Sequence, residues 1–78
     1  MFYTYVLKST VDSQYYIGHT KDLKNRMVLH NAGKVPATFL RRPLKLVYYE
    51  AGLNEKNSIK REKYFKTGYG RKFLDSRI

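Results

Sequence analysis

Two tyrosines, one arginine and one glutamate are the residues of this chain best suited to chemistry. Tyr5 closes the run Tyr3-Thr4-Tyr5, Tyr16 stands in Tyr15-Tyr16-Ile17-Gly18, Arg26 follows at helical spacing, and Glu62 comes much later. A phenol near a metal-bound water can accept its proton once the phenol pKa is lowered. A guanidinium fork matches two phosphate oxygens. A single carboxylate, completed by waters and a phosphate oxygen, suits Mg²⁺, which keeps most of its hydration shell. Together these groups suggest cleavage of a phosphodiester, with charge in the transition state neutralised by Arg26 and a metal.

Each residue also has a plainer reading. Eight tyrosines and four phenylalanines in 78 residues are by default core and half-buried sheet residues with hydroxyls at the rim. That reading covers Tyr3, Tyr15, Tyr48, Tyr49 and Tyr64. Tyr5 and Tyr16 differ because, on the two arms of one hairpin, they can face the same side. Arg26 borders the apolar stripe of Leu23 and Met27, one turn before His30, so it either snorkels to the surface or turns inward. Glu62 sits three residues after Ile59 and three before Phe65, beside the face that should pack on the sheet. It is either a surface charge paired with Lys66 or a metal ligand.

Elements of a small fold must position these groups. Residues 2 to 8 and 14 to 19 are aromatic and β-branched, and with Ser9-Thr10-Val11-Asp12-Ser13 between them they read as a β-hairpin. Leu23, Met27 and His30 then recur at helical period, with Thr20 or Asp22 as cap and Asn31-Ala32-Gly33 as stop, which predicts a helix over about 21 to 31. Lys34 to Pro43 reads as a loop. Leu44 to Glu50 reads as a third strand, with Pro43 just before it, where a missing amide costs least. Asn54 caps a second helix whose inward stripe would be Leu53, Ile59, Phe65 and Tyr69, ended by Gly68 and Gly70. Arg71 to Ile78 would add one more helical turn. The expected class is a small α/β (α+β) domain over residues 1–78, in the order β-β-α-β-α with a short C-terminal helix. Within its strands, Gly18 gives up side-chain packing, as a glycine does where a ligand's backbone must come close.

Composition narrows the partner. The formal charge is +10, from 16 Lys and Arg against 6 Asp and Glu, and such an excess usually answers a polyanion. Nucleic acid leads, with DNA first. The basic residues do not gather on one amphipathic helix, which argues against a membrane surface. Lys34, Arg41, Arg42, Arg61, Lys63, Arg71 and Lys72 are the candidates for contacting nucleic acid. No cysteine is present, so neither a disulfide framework nor a thiolate metal site supports the fold. No stretch approaches the ~20 apolar residues of a membrane span, and the chain reads as soluble and cytoplasmic. His19 and His30 lack the spacing of a zinc motif, and no serine has the context of a nucleophile.

Tyr3-Thr4-Tyr5, Tyr16-Ile17-Gly18, Arg26, His30-Asn31 and Arg61-Glu62-Lys63 closely resemble the GIY-YIG nuclease superfamily. They are most similar to its small stand-alone members, related to the nuclease domain of the excinuclease subunit that incises damaged DNA. The resemblance runs from Phe2 to about Leu74. It implies a three-stranded antiparallel sheet flanked by helices, and a metal-dependent endonuclease that uses one Mg²⁺ or Mn²⁺, with DNA repair as the setting. By this analogy Glu62 looks like the metal ligand, Arg26 the phosphate-stabilising residue, and Tyr16 the residue that activates or orients water. Tyr5 would assist Tyr16, His19 would hold an auxiliary place in proton transfer or phosphate contact, and His30 would support the site. Two features depart from the pattern: Tyr3 and Thr4 replace a glycine and an isoleucine, and no asparagine follows Asn57, where many relatives have one that braces the site. The alternative the residues leave open is a non-catalytic module that keeps the fold and binds DNA or RNA.

Overall fold

The computed structural model describes all residues from Met1 to Ile78. β1 (Phe2–Ser9) and β2 (Tyr15–Thr20) form the expected hairpin, followed by α1 (Leu23–Asn31), a 3₁₀ turn (Pro36–Arg41), β3 (Leu44–Gly52), α2 (Glu55–Phe65) and α3 (Gly68–Arg77). All strand pairs are antiparallel, and the order β2-β1-β3 puts β1 in the centre. Fold class and topology are those expected from the sequence.

Alternation along β1 sorts the strand's residues onto two faces. Tyr5 and Leu7 point one way with Leu44, packed by Tyr16, Leu23 and Met27. Val6 points the other way with Ile17, Phe65 and Leu74, packed by Tyr15, Val47, Tyr48 and Phe73. α1 therefore covers the first face, and α2 with α3 covers the second. On the second face Phe65 and Phe73 stack at 5.9 Å, and Tyr48 meets both rings edge-on.

Local chemistry fixes the element ends. Asp22 accepts from the Asn25 amide at 3.0 Å and caps α1. At its C-terminus Gly33 takes φ of +78°, and the Lys34 amide returns to the Leu29 carbonyl, closing the helix with a left-handed glycine. Asn54 caps α2 by accepting from the Lys56 amide at 2.9 Å.

Two expectations about the second half are corrected. The chain does not run as one helix through Tyr69, because Thr67 accepts from the Gly70 amide at 3.1 Å and caps a new helix. Gly68 is thus the first residue of α3, a full ten-residue helix rather than a final turn. Gly70 lies against the Tyr64 carbonyl and the Phe65 backbone, where a Cβ would not fit. It permits the tight turn between the helices instead of ending α2. The predicted stripe fails at its ends for the same reason: Leu53 precedes the cap and is 86% exposed, and Tyr69 rides the outer side of α3 at 80%. Ile59 and Phe65 face inward as expected, Phe65 completely.

The segment 34–43, expected as an open loop, is pinned on both sides. Arg41 bridges to Asp12 at 2.9 Å and donates to the carbonyl oxygens of Gln14 at 3.1 Å and Tyr15 at 3.4 Å. Ser9 Oγ donates to the Arg41 carbonyl at 2.8 Å. On the helix side, the Asn31 amide group accepts from Leu44 N at 2.8 Å and donates to Leu44 O at 3.1 Å.

Candidate active site

The hairpin register sets the site. Tyr5 stands opposite Gly18 on β2, and Leu7 stands opposite Tyr16, so both tyrosines project onto the α1 face. A Cβ at Gly18 would lie 2.5 Å from the Tyr5 hydroxyl and 2.7 Å from its ring carbon. The bare backbone at Gly18 is therefore filled by the Tyr5 phenol, not by a ligand's backbone as the sequence suggested.

Tyr5 is 1% exposed and its hydroxyl meets His30 Nε2 at 3.0 Å. His30 is wholly buried, and its Nδ1 meets Thr38 Oγ at 2.8 Å. The Tyr16 ring stands edge-on to His30 at 5.0 Å and lies 6.5 Å from Tyr5. Burial lowers the His30 pKa, and the charge of Arg26 lowers it further, so the imidazole is neutral. Burial likewise raises the Tyr5 pKa. Arg26 opposes that shift, while the negative charge of Glu62 adds to it, and Tyr5 stays protonated at neutral pH.

Arg26 holds the most unusual position. Its Nε is buried without a hydrogen-bond partner, and the residue takes part in none of the ion pairs. Its charge is felt at both Tyr5 and His30, although it forms no hydrogen bond of ordinary geometry with either. A dry, charged donor with no protein acceptor is costly, and an anion arriving from outside would relieve it.

Glu62 approaches from the other face of the sheet. His19, opposite Thr4 and on the α2 side, donates from Nδ1 to Glu62 Oε1 at 2.5 Å, and Lys66 donates to Oε2 at 2.8 Å. Both the surface pairing and the inward placement expected of Glu62 are present, since its side chain is 19% exposed. Burial raises its pKa, but the hydrogen bonds from Lys66 and His19 outweigh it and leave the carboxyl below its usual range. The six candidate residues thus straddle edge strand β2. Tyr5, Tyr16, Arg26 and His30 lie on one side of it, and His19 and Glu62 on the other.

No group of three His, Cys, Asp or Glu side chains could hold a metal by protein ligands alone. The donor set is one ionised carboxylate with an imidazole beside it. That fits an ion which keeps most of its water.

The seven basic candidates fall into three groups. Arg41, Arg42 and Arg61 are engaged within the protein. Arg41 grips the hairpin tip, Arg42 donates to the Phe39 carbonyl at 2.8 Å and stacks on that ring, and Arg61 forms a two-armed bridge to Glu50 at 2.8 and 2.9 Å. Arg71 lies over the Tyr15 ring at 4.7 Å and, with Lys66, lines a cleft of about 280 Å³ beside Tyr16. Lys34, Lys63 and Lys72 are exposed. Sequence reasoning missed Thr38, which lies in a segment without periodicity and has no motif to mark it. It also weighed Lys66 only as a surface partner of Glu62.

The model of the GIY-YIG catalytic domain matches residues 1–74. This chain belongs to the GIY-YIG family. A UPF0213 protein of Bacillus pumilus is 41% identical to it over 66 residues, covering 83% of this chain and 66% of that protein. One of Streptococcus pneumoniae is 38% identical over 65 residues, covering 82% and 65%. The chain spans just under two thirds of the length of these curated relatives. The solution NMR structure of a UPF0213 protein from Bacillus halodurans is similar to it with a TM-score of 0.60 and 29% identity, covering 97% of this chain and 84% of that one. GIY-YIG domains are nuclease domains and are generally dependent on a divalent metal. No helix is long and apolar enough to cross a membrane.

Proposed function

We propose that residues 1–78 act as one nuclease domain that hydrolyses phosphodiester bonds in DNA with a single Mg²⁺ or Mn²⁺, in the cytoplasm and in the service of DNA repair. The observation that carries this reading is Arg26, whose buried Nε has no acceptor in the protein and whose charge reaches the phenol of Tyr5. A phosphate oxygen is the acceptor that a guanidinium in this position favours.

The remaining residues divide the work. Glu62 would hold the ion, with its carboxylate oriented by His19. When bound, the ion would neutralise charge developing on the phosphodiester and acidify the water it carries. Tyr16, half-buried beside the cleft of Lys66 and Arg71, accepts a hydrogen bond from the attacking water. Tyr5 stays a neutral phenol, hydrogen-bonded to His30, and helps Tyr16 orient that water. The substrate runs along the β2 edge, since only there can one phosphate meet residues from both faces. Arg71 and Lys72, with Lys34 and Lys63, supply charge along the backbone. Arg41, Arg42 and Arg61 add long-range field while holding the fold.

The test is cleavage of single-stranded, duplex, branched and flap DNA with Mg²⁺ or Mn²⁺. Cleavage that Glu62→Ala abolishes supports the proposal, and unchanged cleavage by that variant removes Glu62 as metal ligand. One feature favours a second reading, that of a binding module without catalysis: both Glu62 oxygens are already bonded, to His19 and Lys66. That reading predicts no cleavage, but binding to DNA or RNA without metal that weakens steeply with salt, with a log–log slope of about −0.9 per neutralised phosphate on duplex DNA. Binding indifferent to ionic strength would sink both.

A further inference from the structure

The hydroxyl of Thr38 completes a chain of buried polar atoms that ends at Tyr5. His30 Nε2 is 3.0 Å from the Tyr5 hydroxyl, His30 Nδ1 is 2.8 Å from Thr38 Oγ, and Thr38 Oγ is 3.5 Å from the Val35 carbonyl. All three side chains are essentially without solvent contact, so each proton must find its acceptor among these atoms.

Two proton arrangements are open to a neutral imidazole. With hydrogen on Nε2, His30 would donate to Tyr5 and Thr38 would donate to Nδ1. The Tyr5 proton would then have no acceptor, because His30 is the one potential acceptor bonded to it and the neighbouring Arg26 only donates. With hydrogen on Nδ1, Tyr5 donates to Nε2, Nδ1 donates to Thr38, and Thr38 turns its proton to Val35 O, weakly at 3.5 Å. Every donor is then satisfied. The lone pairs of the Tyr5 oxygen are left free for Arg26 and for whatever enters the site.

We infer that Thr38 is a positioning residue: by accepting from His30 Nδ1 it fixes the tautomer that presents an acceptor to Tyr5. The 3₁₀ turn holds it there, with its amide bonded to Val35 O at 3.1 Å. The consequence for cleavage rests on the nuclease reading above; the tautomer does not.

Nitrogen-15 NMR of the His30 ring decides the tautomer without any substrate. The native protein is expected to show Nδ1 protonated and Nε2 bare. Thr38→Val should move the proton to Nε2, and Thr38→Ser should restore it. Cleavage by Thr38→Val is expected to fall by about 10² in kcat, with KM unchanged and with recovery in Thr38→Ser. A native ring protonated at Nε2 overturns the assignment, even if the variant does not fold. A Thr38→Val protein that keeps the Nδ1 proton, or cleaves as well as native, removes the positioning role. A native protein with the expected tautomer that cleaves nothing would count against the nuclease reading alone.

Discussion

The two faces of the sheet draw alternate residues from the same strands, yet they solve opposite problems. The α2–α3 face buries Val6, Ile17, Phe65 and Leu74 against a cluster of aromatic rings. Its charges are paired: Arg61 with Glu50, lying over Phe65 and Phe73 at 4.6 and 5.4 Å, and Glu62 with His19 and Lys66. The α1 face buries hydroxyls and an imidazole at comparable depth, and it leaves a guanidinium nitrogen without a partner. Paired charges on one face and an unpartnered guanidinium nitrogen on the other mark the α1 face as the place where the fold gives up stability, as folds do at sites kept for function.

The comparison breaks most sharply at Phe65. Phe65→Ala opens the centre of the apolar face and should cost about 3–5 kcal/mol, a large part of the whole stability of such a domain. Denaturant titration would show it, and a loss below about 1 kcal/mol would mean that this face is not the load-carrying core. Arg26→Met should do the reverse. Cleavage is expected to fall by about 10²–10³, the usual effect of removing one donor from a developing charge, while the melting temperature holds or rises because a buried donor without an acceptor is gone. A clear drop in melting temperature would show that Arg26 has a protein partner after all.

The faces should also part in their response to pH. His30 has a depressed pKa in the fold, so below its unfolded value near 6.5 the unfolded chain binds the proton more readily. Stability on its account is complete above about that pH and is lost as the pH falls towards the folded value. The depressed carboxyls Glu50 and Glu62 act the same way, but only below their ordinary 4.5. Melting curves from pH 7.5 to 5.5 should therefore slope downward in native protein and flatten in His30→Gln. An equal slope in both would clear His30 of the effect. The smallest expected change is Arg61→Met. It loses a half-exposed bridge and cation–π contacts but keeps the packing stem, for about 1 kcal/mol or less.

Much of this was legible in the sequence because it is local. The aromatic and β-branched run of residues 2 to 8 marks β1, helical recurrence of Leu23, Met27 and His30 marks α1, and Pro43 marks the approach to β3. The tyrosine pair was legible as facing one side, because a hairpin's register follows from its turn. What stayed hidden depends on partners remote in the chain. Gly68 reads as a stop until Thr67 is seen capping the next helix. Thr38 has meaning only once the turn folds over His30. No spacing rule tells that Arg41 will find one carboxylate and two carbonyls at the hairpin tip, or that Glu62 will come from behind the sheet.

The grip of Arg41 bears on how the chain reaches this state. The hairpin closes over a short turn, but β3 must return across α1 and the following segment to pair with β1. Loop-closure entropy makes that the expensive search. With Arg41 fastened to Asp12 and Asn31 fastened to Leu44, only Arg42 and Pro43 separate the clasp from the first pairing of the ladder, Ser9 with Leu44. Those bonds hold the start of β3 against the hairpin, so the register of the third strand is settled at its first rung.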